Sequence, residues 1–167
     1  MTKKRVLSIA YHEAGHAVAA RLMKPPVMVK YVTIIPDEHN LGHCKGGDRL
    51  PKNFKPGIEV SPLTRNRIEA QVIYYLAGYV AEEKFMGRKP RGCKPDIQTA
   101  LNLACYVAAG GGKPLEAYFA WLWAQTEALF QNPFFWKCVE AVAEKLAIER
   151  KLSGAKVEQI MRVTFNA

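Results

Sequence analysis

A chain of 167 residues with 49% hydrophobic and 23% charged residues has the make-up of one soluble globular domain with a real core. No run of about 18 apolar residues occurs, which argues against a membrane-spanning helix, and the basic start runs into too short an apolar stretch for an export signal. The net charge of +9 is scattered over residues 3–5, 45–55, 65–67, 84–94 and 145–151, so it reads as solvated basic surface, and no nucleic-acid partner is expected.

In chain order, residues 6–23 are predicted to form a helix stopped by Pro25 and Pro26. Residues 27–35 are rich in β-branched side chains and read as a strand closed by Pro36. A turn at 37–40 leads to a second short strand at 41–44. Residues 45–60 carry Gly46, Gly47, Pro51, Pro56 and Gly57 and read as a flexible loop. Ser61 and Pro62 make a helix start, with serine as N-cap and proline in the first turn, and that helix runs to about Met86. Further helices are predicted from Asp96 to about Ala108, over 115–130 and over 134–150, with a last short one from near Ser153. The fold class is therefore α+β, predominantly α-helical, with one small sheet or hairpin, and the whole chain, 1–167, reads as a single domain.

The four cysteines, Cys44, Cys93, Cys105 and Cys138, are far apart and form no C-x-x-C pair. That spacing fits reduced thiols in a cytoplasmic protein better than a disulfide framework.

The chemistry concentrates at His12-Glu13-Ala14-Gly15-His16, an H-E-x-x-H pentapeptide inside the first helix. At about 100° per residue, His12 and His16 lie one turn apart on one face, where each can give a nitrogen to the same zinc ion. Glu13 sits beside them, placed to reach a water rather than the metal. Gly15 inside a helix costs roughly 1 kcal/mol against alanine, which predicts close packing there. Gly78, on the later long helix, is available for a close crossing.

A catalytic zinc needs a third protein ligand. The extended motif with a histidine six residues on fails, because position 22 is Leu22. His39 and His43 share i, i+4 spacing but follow Pro36 in turn-like sequence. Glu82 and Glu83 sit on the long helix. Asp96 stands at a helix start, where an ordinary N-cap is the alternative. Spacing alone leaves all five open.

Several segments resemble the protease domain of FtsH-type ATP-dependent zinc metalloproteases. Residues 10–17 are similar to the family's zinc helix. Val32-Thr33-Ile34-Ile35-Pro36, with Leu41-Gly42, is similar to the strand and turn beside its active site. Residues 76–83 followed by Gly87 resemble its long helix, and Gly92-Cys93-Lys94-Pro95-Asp96-Ile97 resembles the segment that supplies an aspartate ligand. Residues 146–160 are similar to its closing helices. The resemblance implies one zinc ion per chain, held by His12, His16 and Asp96, with Glu13 as general base. It implies hydrolysis of peptide bonds in unfolded or flexible protein segments. There are departures. Gly110-Gly111-Gly112-Lys113-Pro114 is no phosphate loop, no membrane anchor is seen, and Lys94-Pro95 replaces the small or polar residues usual before the aspartate. The expectation is a free-standing peptidase domain, with room for a homo-oligomer or a separate ATPase as partner.

Two further expectations follow. The segment Tyr31 to Ile35 is read as a sheet edge that takes an extended peptide by strand addition, making Val32, Thr33, Ile34 and Ile35 substrate-binding residues. The aromatic run Tyr118, Phe119, Trp121, Trp123, Phe130, Phe134, Phe135 and Trp136 is read mainly as core. Against the peptidase stands a catalytically silent domain that keeps fold and metal for binding or regulation.

Overall fold

Thr2 opens the first helix, its hydroxyl accepting the Arg5 N–H at 3.3 Å, and α1 then runs Lys3–Leu22. Every residue from Ser8 to Ala20 except His12 is buried, so α1 is a central helix and not an amphipathic surface one. The structure is a computed structural model that describes residues 2–23, 26–38, 41–46, 61–90, 94–108 and 111–166. Residues 47–60 of the predicted loop at 45–60, together with His39, Gly92 and Cys93, lie outside these residues.

Across α1 lies α2 (Pro62–Met86), started as predicted by Ser61, whose hydroxyl accepts the Thr64 N–H at 3.2 Å. The two helices meet at Gly15. A methyl group there would lie 2.5 Å from the Ala77 carbonyl oxygen and 2.7 Å from Ala81 Cβ, so glycine is what lets the backbones approach. The α3 helix (Lys94–Cys105) begins two residues earlier than expected, which puts Asp96 inside the first turn instead of at the N-cap.

Three antiparallel strands form the sheet: β1 (Val29–Thr33), β2 (His43–Gly46) and β3 (Lys151–Ser153), in the order β2-β1-β3. Lys45 and Gly46 therefore belong to β2 and not to the predicted loop. The β1 strand is central. Tyr31, Val32 and Thr33 pair with Lys45, Cys44 and His43 on one side and with Ser153, Leu152 and Lys151 on the other. This corrects the expected free edge: along Tyr31–Thr33 the ladder is taken on both sides, and an added peptide has nothing to pair with. Ile34 is likewise buried and bound, its N–H donated to the Arg150 carbonyl, and only Ile35 is exposed. The cause is β3, three residues between two helices, too short to carry a strand pattern.

The rest of the chain is helical: α4 (Gly112–Gln131), α5 (Pro133–Glu149) and α6 (Gly154–Phe165). Phe130, Val139, Val142 and Leu146 are fully buried against α1 and the sheet. Tyr11 stacks on Phe85 at 4.0 Å and meets Trp136 at 5.7 Å, which joins the closing helices to α1. A second apolar cluster, including Ile68, Val72, Leu76, Ala100 and Leu122, packs α3 and α4 on α2. Of the aromatic run, Phe130 is core while Trp121 and Phe134 stand about half exposed.

Candidate metal centre

One turn of α1 separates His12 from His16, and the crossing with α2 turns both rings toward α3. Each ring is fixed from behind. His16 Nδ1 donates to the Tyr74 backbone carbonyl at 2.8 Å, and His12 Nδ1 lies 3.3 Å from Glu82 Oε2. Ser8, one turn before His12, donates its hydroxyl to Glu82 Oε1. A hydrogen on each Nδ1 leaves each Nε2 with a lone pair pointing forward.

Those lone pairs converge. The two Nε2 atoms are 3.1 Å apart, and Asp96 Oδ2 lies 3.2 Å from His12 Nε2 and 3.6 Å from His16 Nε2. Two ligands held at about 2.0–2.1 Å in tetrahedral geometry stand about 3.3 Å apart, so the triangle has the size of three corners of a zinc site. Two imidazole lone pairs and a carboxylate at this spacing repel one another unless a cation lies among them. The donor set fits zinc, and His12, His16 and Asp96 form the one such group among the described residues.

Two glycines make room. On α2, a methyl group at Gly78 would fall on His16 Nε2 and 2.8 Å from His12 Nε2, so at the crossing with α1 this glycine makes room for the two imidazoles. Gly42, just before β2, sits where a methyl would meet Glu13 Cγ at 3.1 Å. Glu13 is only 5% exposed, and burial pushes its carboxyl up from the ordinary value against the pull of His12 and His16.

Of the four third-ligand candidates among the described residues, Asp96 alone joins the imidazoles. Glu82 stands behind His12, and His43 faces Asp37 and Tyr31, its Nδ1 3.6 Å from Asp37 Oδ2 and its Nε2 2.9 Å from the Tyr31 hydroxyl. His39 lies outside the described residues. The Tyr74 carbonyl left no trace in the sequence, since any residue carries one. Ser8 did leave a sign, four residues before His12 on the same helical face.

The sequence profile of peptidase family M41 matches residues 1–109, which hold α1, the sheet pair β1–β2, α2, α3 and all three converging side chains. The chain belongs to peptidase family M41. Curated relatives agree. An "ATP-dependent zinc metalloprotease FtsH" from Buchnera aphidicola subsp. Baizongia pistaciae is 36% identical over 106 residues, 62% of this chain and 16% of that protein. "ATP-dependent zinc metalloprotease FtsH 1" from Thermoanaerobacter sp. is 33% identical over 62% of the chain and 16% of the relative. The FtsH of Rickettsia conorii is 33% identical over 67% and 17%. The match thus spans about a sixth of each of these relatives. Within this M41 chain, α4, α5, β3 and α6 lie beyond the matched residues, so the resemblance of residues 146–160 to the family's closing helices falls outside that match.

Proposed function

We propose that the chain is a zinc metalloendopeptidase that cleaves unfolded or flexible protein segments, with His12, His16 and Asp96 as metal ligands and Glu13 as general base. The observation that carries this reading is the triangle of Nε2, Nε2 and Oδ2 atoms, closed from behind by Tyr74 and Glu82. Bound zinc would supply Lewis acidity, acidifying a water and polarising the peptide carbonyl. Glu13 takes the proton of the attacking water on its carboxylate and later gives it to the leaving amine nitrogen. Its burial suits the task, because a carboxyl raised from its ordinary value is closer to neutrality and better matched to both transfers. Glu82 and the Tyr74 carbonyl keep the imidazoles in one tautomer and orientation.

The substrate strand belongs on β2. Its outer side carries no strand among the described residues, and Gly42, at its start, lies against Glu13. An ATPase or a second copy as partner, and a cytoplasmic location, belong to the same proposal. In its support, no described helix is long and apolar enough to cross a membrane, and Cys44, Cys105 and Cys138 are free thiols.

The test is bound zinc and casein hydrolysis for the native chain, Glu13→Gln and Asp96→Ala. Glu13→Gln is expected to keep zinc and lose about 100-fold or more of the rate, while Asp96→Ala loses both. Full activity in Glu13→Gln contradicts the assignment. Zinc binding with no hydrolysis by the native chain favours the silent domain.

A further inference from the structure

We infer that Tyr74 is a positioning residue of this site, tying the edge of β2 through its side-chain hydroxyl to α2, whose Tyr74 carbonyl holds His16. The inference rests on the peptidase reading and adds a determinant of substrate binding to it.

The strand register decides which backbone groups are in play. Ile34 donates its N–H to the Arg150 carbonyl at 2.9 Å, so even-numbered residues of β1 turn their amide groups toward β3. Val32 is one of these, and Cys44 is its partner on β2. Cys44 therefore turns its N–H and C=O away from β1, to the outer edge. There the Tyr74 hydroxyl donates to the Cys44 carbonyl at 3.0 Å, a contact between residues 30 apart in sequence. The same tyrosine gives its own carbonyl to His16 Nδ1 at 2.8 Å and lays its ring 5.0 Å from the His16 ring.

One residue thus grips both parts that must stay in register: the ligand that fixes the metal, and the strand that follows Gly42, the glycine that abuts the base Glu13. The backbone carbonyl would be present with any residue at 74, and a phenylalanine would keep the ring contact. What the hydroxyl alone adds is the hold on β2. Its removal frees the strand edge and leaves the metal ligands in place.

Tyr74→Phe is the variant that removes only this bond. In the zinc-loaded chain, KM for casein is expected to rise about fivefold, the weight of one hydrogen bond, with kcat within about twofold and zinc content unchanged. A second arm needs no turnover: fluorescein-labelled β-casein is titrated onto zinc-loaded Glu13→Gln, with and without Tyr74→Phe, and its Kd is expected to weaken by about the same factor. Unchanged KM and Kd, or a loss of zinc that tracks the loss of activity, overturns the assignment. Casein cleavage that survives Glu13→Gln contradicts the peptidase reading itself, and the titration still decides on Tyr74.

Discussion

The α1–α2–α3 crossing and the α4–α5–α6 closing helices are both well packed, but they are built on opposite principles. The crossing is made of small and polar groups: Gly15 lets the backbones approach at Ala77, Gly78 leaves room for the imidazoles, Ser8 and His12 are held on Glu82, and His16 is held on the Tyr74 carbonyl. The closing helices rely on bulk, with Phe130, Val139, Val142 and Leu146 fully buried and rings such as Trp136 leaning on Tyr11. Bulk tolerates rearrangement, because neighbouring apolar groups can shift into a gap. A ring held by one carbonyl cannot shift without losing its aim. Function should thus be fragile in the first region and stability in the second.

The sharpest way to break this contrast is Gly78→Ala. Its methyl would crowd the His16 and His12 Nε2 atoms, so zinc binding is expected to vanish, read as metal per chain after dialysis. Phe130→Ala should do the reverse, costing about 3–5 kcal/mol in denaturant unfolding while the folded fraction still takes up one zinc. Glu82→Gln comes next: a weaker acceptor behind His12 should reduce zinc affinity by about 10–100-fold, measured by competition with a chelator.

The smallest effect concerns the thiols. Burial pushes Cys44, beside the site, up to about 12 and also raises Cys138 in the closing helices, whereas Cys105 is exposed. With a folded value above the unfolded one, the Cys44 thiol stays protonated through pH 9, and stability falls only as pH rises from about 9 toward 12. Iodoacetamide at pH 8 should therefore label the Cys105 peptide and spare those of Cys44 and Cys138. Equal labelling would erase this likeness between the two regions.

Much of the first region was legible because its chemistry is local. The i, i+4 histidines, the Ser61-Pro62 start and the stop at Met86 all depend on residues within a turn or two of each other. The central place of β1 was not legible. It depends on β3, which lies more than a hundred residues later and has no periodic signature. Asp96 marks the boundary: spacing left it one of five, and only the packing of α3 on α2 brings it to the imidazoles. Gly78 was legible as a site of close approach, but a glycine in a helix announces a close neighbour without naming it, and here the neighbours are the two imidazoles.

The central claim, that His12, His16 and Asp96 hold one zinc, is tested most directly by anomalous diffraction at the zinc edge from crystals of the metal-loaded chain. The account predicts a single peak bonded to His12 Nε2, His16 Nε2 and an Asp96 carboxylate oxygen. A peak bonded to Glu82 or His43 in place of Asp96, or no peak between the imidazoles, would contradict it.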